Sequence, residues 1–144
     1  MIYAVIDTNV IVSAYITKNL MAATSKVWEA VLQGKIKPVY SDEIIDEYNE
    51  VLHRKKFDIP EHLIKWAIDR VLMNGIHGER VPSQEHFPDP KDVVFYEVAL
   101  SKDDAYLVTG NKKHFPQTPI VVTPAEILEI LCSHGDCSPD SDWV

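Results

Sequence analysis

The first nine residues constrain the fold more than any other stretch. Ile2-Tyr3-Ala4-Val5-Ile6 is an unbroken β-prone, apolar run that stops abruptly at Asp7-Thr8-Asn9. A strand without apolar–polar alternation is buried on both faces, which places it centrally in a parallel sheet covered by helices. Asp7 then stands at that strand's carboxyl end, the edge where open α/β sheets build their sites. The remaining sequence supplies such a sheet, with strands expected at 36–40, 104–109 and 120–122. Helical patterns at 10–16, 22–33, 41–54, 60–75, 93–100 and 123–131 lie between and after them. This alternation predicts a three-layer α/β/α fold with a central, mostly parallel sheet and right-handed crossovers.

Local signals sharpen the elements. Ser41 caps a helix whose apolar stripe is Ile44, Tyr48, Val51 and Leu52, and Glu47 falls on the flank of that stripe rather than on the solvent face. Pro38 favours an edge or strand-start position for 36–40. Within the Gly- and Pro-marked connection 75–90, Ile76, His77, Arg80 and Val81 suit a short edge strand. The helix 93–100 is apolar nearly all round and therefore buried. Trp66 projects from the polar side of its helix, either lying on that helix or meeting a partner.

A chain of 144 residues makes one domain with a sizeable core. Residues 1–131 form it. Residues 132–144 carry three Asp and no apolar period, and are expected to be a disordered acidic tail. No apolar run approaches the ~20 residues of a membrane span, so a cytoplasmic protein is expected. Cys132 and Cys137 are too few for a zinc site and are expected to be reduced thiols.

In a parallel α/β fold, helix N-termini share an edge with strand C-termini. Asp7 ends the first strand, Asp89 and Asp92 open the buried helix, Asn111 follows the strand 104–109, and Glu47 lies in the second turn of its helix. Four distant stretches thus bring oxygen donors to one rim. Oxygen-only ligation suits a hard cation, Mg²⁺ or Mn²⁺. Gathering Asp7, Glu47 and Asp92 without one would place like charges together and raise their pKa values. Each acid also has a structural alternative. Asp7 could cap the following turn, Asp89-Pro90-Lys91-Asp92 fits a helix start, and Glu47 could pair with a lysine.

The motifs together resemble one family. Val5-Ile6-Asp7-Thr8-Asn9-Val10-Ile11-Val12-Ser13-Ala14 opens the pattern, and Ser41-Asp42-Glu43-Ile44-Ile45-Asp46-Glu47-Tyr48 with Val51-Leu52 continues it. Asp89-Pro90-Lys91-Asp92 with Ala99-Leu100 follows, and Asp104-Ala105-Tyr106-Leu107-Val108-Thr109-Gly110-Asn111 with His114-Phe115 closes it. Over about residues 1–131 the chain resembles the PIN-domain ribonucleases, and among them the toxin components of prokaryotic toxin–antitoxin pairs, VapC-like in fold.

The resemblance implies that Asp7, Glu47 and Asp92 are catalytic metal ligands, with Asn9 supporting the first and Asp89 a less certain member of the same motif. It implies Mg²⁺- or Mn²⁺-dependent endonucleolytic cleavage of RNA, a homodimer, and repression by a small antitoxin protein. The chain departs from the pattern at Asn111, where many PIN domains carry an acid. Thr109, beside it, is a candidate for positioning water or phosphate, or simply a β-branched strand residue. Lys112, Lys113 and Arg54 are candidates for holding the RNA backbone, the two lysines because they follow the site directly.

The net charge of -8 runs against a nucleic-acid partner, since phosphate neutralisation supplies much of such affinity. It favours an alternative: a catalytically weak or inactive PIN-fold module that binds RNA or protein. A phosphate-transfer domain using Asp7 as nucleophile is disfavoured, because Asp7-Thr8-Asn9 lacks a second acid two residues on.

Overall fold

β1 (Ile2–Ile6) pairs in parallel on both sides, as its unbroken apolar sequence requires. The computed structural model describes residues 1–135. Its other strands are β2 (Ile36–Tyr40), β3 (Ile76–His77), β4 (Ala105–Val108) and β5 (Val121–Val122). They form one sheet in the order β3-β2-β1-β4-β5, with every pairing parallel. Helices α1 (Thr8–Ile16), α2 (Ala23–Leu32), α3 (Asp42–Leu52), α4 (Glu61–Asn74), α5 (Val93–Ala99) and α6 (Pro124–Ser133) complete a three-layer α/β/α fold. Single 3-10 turns stand at Lys55–Phe57, Pro90–Asp92 and Lys112–His114.

The helix boundaries have local causes. Ser41 Oγ accepts the Ile44 N–H at 3.3 Å, and α6 opens on a reciprocal capping box between Thr123 and Glu126. α2 stops before Gly34, whose φ of +80° suits a residue without Cβ. α5 is buried from Val94 through Ala99 and packs on β1, β2 and β4.

Glu97, inside that apolar helix, is only 7% exposed. Its Oε1 accepts Arg80 Nε at 2.8 Å, its Oε2 accepts the Ser83 N–H at 2.8 Å, and its backbone carbonyl accepts the Val81 N–H at 3.0 Å. One helix position therefore ties down a strap, residues 78–88, that crosses α5. The strap ends on Phe87, whose ring meets Tyr96 and Phe115 edge-on at centroid distances of 5.6 and 6.1 Å. Asp89 follows at once.

Four details depart from the sequence expectations. β2 is interior, because β3 lies outside it; yet Pro38 pairs with Ala4, and β3 begins only opposite Val39. The missing N–H thus falls just before the second ladder starts. Arg80 and Val81 leave the sheet to bind Glu97, so β3 ends at His77. α6 runs two residues past 131, and most of the expected tail, 136–144, lies outside the described residues. Cys132 is disulfide-bonded rather than reduced, and Cys137 lies outside the described residues.

Gly75 lets α4 and β2 approach each other. A Cβ there would sit 2.5 Å from both the Pro38 and the Val71 carbonyl oxygens. Backbone atoms cannot yield as a side chain does. Gly75→Ala is therefore expected to destabilise the fold by about 2 kcal/mol or more, read as a lower urea midpoint at constant slope. An unchanged midpoint would show that α4 and β2 shift apart at no cost.

Candidate active site

The chain lays β1, β2 and β3 outward in one direction, then returns to the other side of β1 for β4 and β5. The topological switch point lies between β1 and β4, where doubly wound sheets open a crevice at their carboxyl edge. Asp7 follows β1 and Thr109 follows β4, so both stand at that crevice. Thr109 Oγ1 donates to Asp7 Oδ2 at 2.7 Å and accepts the Asn111 N–H at 3.0 Å. Thr109 is fully buried, and its hydroxyl proton is committed to the carboxylate. It orients Asp7 and is not exposed to water or phosphate.

On the preceding residue, Ile6, the carbonyl accepts the buried hydroxyl of Tyr48, the residue next to Glu47 on α3. The Tyr48 hydroxyl is pushed well above the usual phenol range, first by burial and then by the Asp7 charge. Asp7 occupies the N-cap position of α1 without a side-chain cap hydrogen bond. Burial raises its pKa; the Thr109 hydroxyl, the Asn9 and Thr8 N–H groups and His114 pull the other way. The capping alternative does hold for Asp89, whose Oδ1 accepts the Lys91 N–H at 2.9 Å. Glu47 forms no ion pair with a lysine among the described residues, so that alternative drops away.

Asp7, Glu47, Asp89 and Asp92 line one cleft of about 320 Å³ together with Thr8 and Asn9. Asp92 is the most perturbed of the four. Its carboxyl is pushed up to about 6, first by burial, then by the charges of Asp7 and Asp89, with His114 opposing and Glu47 adding a smaller push. Its Oδ2 is buried without a hydrogen bond, and among the described residues only His114 Nδ1, at 3.7 Å, comes within ion-pair distance. The Thr8 hydroxyl in the same cleft is also buried and unpaired. A buried orphan oxygen among like charges is costly unless something positive or protic meets it.

A family model described as PIN domain matches residues 3–113 of the chain. The chain belongs to the PIN-domain family. Comparison with curated proteins gave no match. The matched span contains every acid of the cleft and stops before β5 and α6. PIN domains are nuclease folds, commonly metal-dependent ribonucleases, and the donor set of this PIN domain has the chemistry for a hard cation: carboxylate oxygens, an amide oxygen on Asn9 and an unpaired oxygen on Asp92. Among the described residues, no three His, Cys, Asp or Glu side chains already stand close enough to hold a metal ion. The donors fit by type and by their shared cleft.

Other site candidates fall in different places. Arg54 lines the cleft of the PIN domain. Asn111 is exposed and does not line it; its contribution is the N–H given to Thr109. Lys112 and Lys113 line a neighbouring hollow with Pro116, Gln117 and Thr118, and Lys112 Nζ pairs with Glu126 at 3.1 Å. Asn9 Oδ1 reaches the Gly110 N–H at 3.5 Å, a long contact across the switch point. Lys91 and Phe57 line the cleft and His114 approaches Asp92, none of them singled out from sequence. Lys91 was visible inside Asp89-Pro90-Lys91-Asp92, and His114 beside Phe115 at the close of the same pattern; Phe57 gave no signal beyond being an aromatic between two helices.

Proposed function

We propose that this PIN domain is a divalent-metal-dependent endoribonuclease and the toxin of a toxin–antitoxin pair. The observation that carries the nuclease reading is the convergence of Asp7, Glu47, Asp89 and Asp92 on one cleft at the switch point, with the Asp92 oxygen left unpaired. Asp7, Glu47 and Asp92 would hold Mg²⁺ or Mn²⁺, with Asn9 and Asp89 in support. The chemistry a divalent cation supplies there is a lowered pKa for water and neutralisation of charge on the phosphodiester undergoing displacement. The chain's own part is to orient Asp7 through Thr109 and Tyr48, to keep Asp92 available by giving it no hydrogen-bond donor, and to set His114 beside it. RNA is the substrate; a cognate antitoxin protein and a second copy of the chain are the partners, in the cytoplasm. No helix among the described residues is long and apolar enough to cross a membrane.

A second reading is a PIN module that binds RNA or protein and cleaves poorly. The chain is acidic overall, with a net charge of -8, and Asn111 carries no charge at its position. One experiment separates the two. Purified protein, shown to be folded and free of antitoxin, is given a pool of single-stranded and structured RNA with Mg²⁺, with Mn²⁺ and with chelator. Cleavage with either metal and none with chelator is expected. Silence with both metals would leave the binding module. Calorimetry should find one dominant metal site, since three strong carboxylate ligands serve a first cation better than a second; two sites of similar affinity would count against this.

A further inference from the structure

The turn between α3 and α4 is closed by one side chain. His53 follows α3 directly, and its Nδ1 lies 2.6 Å from the Asn49 carbonyl oxygen, one of the four that the end of this helix leaves over. Its Nε2 lies 2.5 Å from Oε2 of Glu61, the first residue of α4. A carbonyl and a carboxylate are both acceptors, so one imidazole meets the two only with a proton on each nitrogen, as the imidazolium. The helix ends favour the same charges, a cation at the C-terminus of α3 and an anion at the N-terminus of α4. Between them Asp58 holds a φ of +50°, the one left-handed non-glycine residue among those described, and such a conformation persists where its surroundings hold it. Arg54 and Phe57 of this turn line the cleft with the acids.

We propose that His53 is a proton-operated buckle on the wall of the acid cleft: its imidazolium joins α3 to α4 and fixes the turn that carries Arg54 and Phe57, and loss of the proton releases that turn. A neutral ring keeps one N–H and gives up one of its two acceptors. The Asn49 carbonyl and the Glu61 carboxylate hold the His53 pKa above its ordinary value. The buckle is therefore fully closed below about pH 6.5, the value of a free imidazole, and is lost as the pH rises through the raised value. Glu61, Lys65 and Asp69 of α4 share a hollow of about 220 Å³ with the ring. On its own side, Glu50 lies three residues back on α3, and the cations Arg54, Lys55 and Lys56 follow in the chain. Among these charged groups Glu61 is the one bonded to the ring. The buckle belongs to the fold of this chain and stands whether or not the cleft cleaves RNA.

The test reads protonation and opening separately. Nitrogen NMR of the full-length protein gives the His53 pKa, and a peptide spanning residues 49–62 gives the value for the open turn. Trypsin at low dose cuts after Arg54, Lys55 or Lys56 in proportion to the open population, and each rate is divided by that of the peptide at the same pH. Between about pH 6 and about pH 8.5 the normalised rate should rise, approaching tenfold for each unit by which the pKa in the protein exceeds that in the peptide. Glu61→Gln should lower the His53 pKa and flatten the rise. His53→Gln, shown by melting to be folded, should be cut at the high rate at every pH. The proposal is overturned by a His53 pKa equal to the peptide's or by normalised cutting that does not change with pH. It is overturned equally by a Glu61→Gln that moves neither quantity, or by a His53→Gln that keeps the wild-type profile.

Discussion

On the proposed ribonuclease function, Asp7→Asn is expected to lower metal-dependent RNA cleavage by about 10³-fold or more, the several kcal/mol a ligated cation is worth in the transition state, and to do so without loss of fold. The side chain keeps its volume, and its amide oxygen can still accept from Thr109 Oγ1, which stands 2.7 Å from the carboxylate today. Burial penalises the charged form of Asp7, and that charge in turn raises the Asp92 pKa. A neutral amide removes both burdens. Melting in chelator should therefore be unchanged or higher in the variant while turnover disappears. Cleavage persisting in Asp7→Asn would point to a contaminating nuclease. A collapse in melting temperature would instead make Asp7 a structural cap and remove the main support for its metal role.

The second large effect lies away from the acids. Glu97→Ala is expected to cost about 3 kcal/mol, the low end for breaking a buried ion pair because the Arg80 guanidinium is 42% exposed and can rehydrate. Thermal unfolding should fall by roughly 8 °C in a domain of this length. Arg80 would retain Glu43, at 3.2 Å, whereas the Ser83 N–H would lose its acceptor. Glu97→Gln keeps an oxygen for one of the two donors and should cost about half as much. Early proteolysis within 78–88 should accompany the alanine variant, together with weaker metal binding, because the strap leads into Asp89. An unchanged melting temperature would mean that Phe87, seated between Tyr96 and Phe115, holds the strap alone.

Much of this could be read from one sequence, and what could not has physical causes. The strand–helix alternation, the burial of β1 and α5 and the gathering of Asp7, Glu47, Asp89 and Asp92 at one edge follow from periodicity and from the direction in which parallel strands run. Contacts between side chains far apart in sequence do not. Nothing local marks Glu97 as the anchor of a strap, since its partners Arg80 and Ser83 lie in a connection with no period. Thr109 reads as a β-branched strand residue until the register of β1 with β4 brings its hydroxyl to Asp7. Tyr48 reads as one more core residue until its hydroxyl is found on the Ile6 carbonyl. The lysines after Asn111 follow the site in sequence, but a 3-10 turn and the pull of Glu126 set them on a neighbouring hollow. Phe57 and Lys91 owe their place to the shape of the cleft.

The switch point also has a consequence in time. The hydroxyl that orients Asp7 belongs to a residue 102 positions later in the chain. β1 has β2 as an early neighbour, but its other edge stays open until β4 exists. Pairings of such long range form late, and domains emerging from a ribosome fold from the N-terminus at the pace of synthesis. A nascent chain shorter than about Thr109 cannot assemble the acid cleft in its working form. The acid cleft is thus completed only after β4 has been made, however early its first acid emerges.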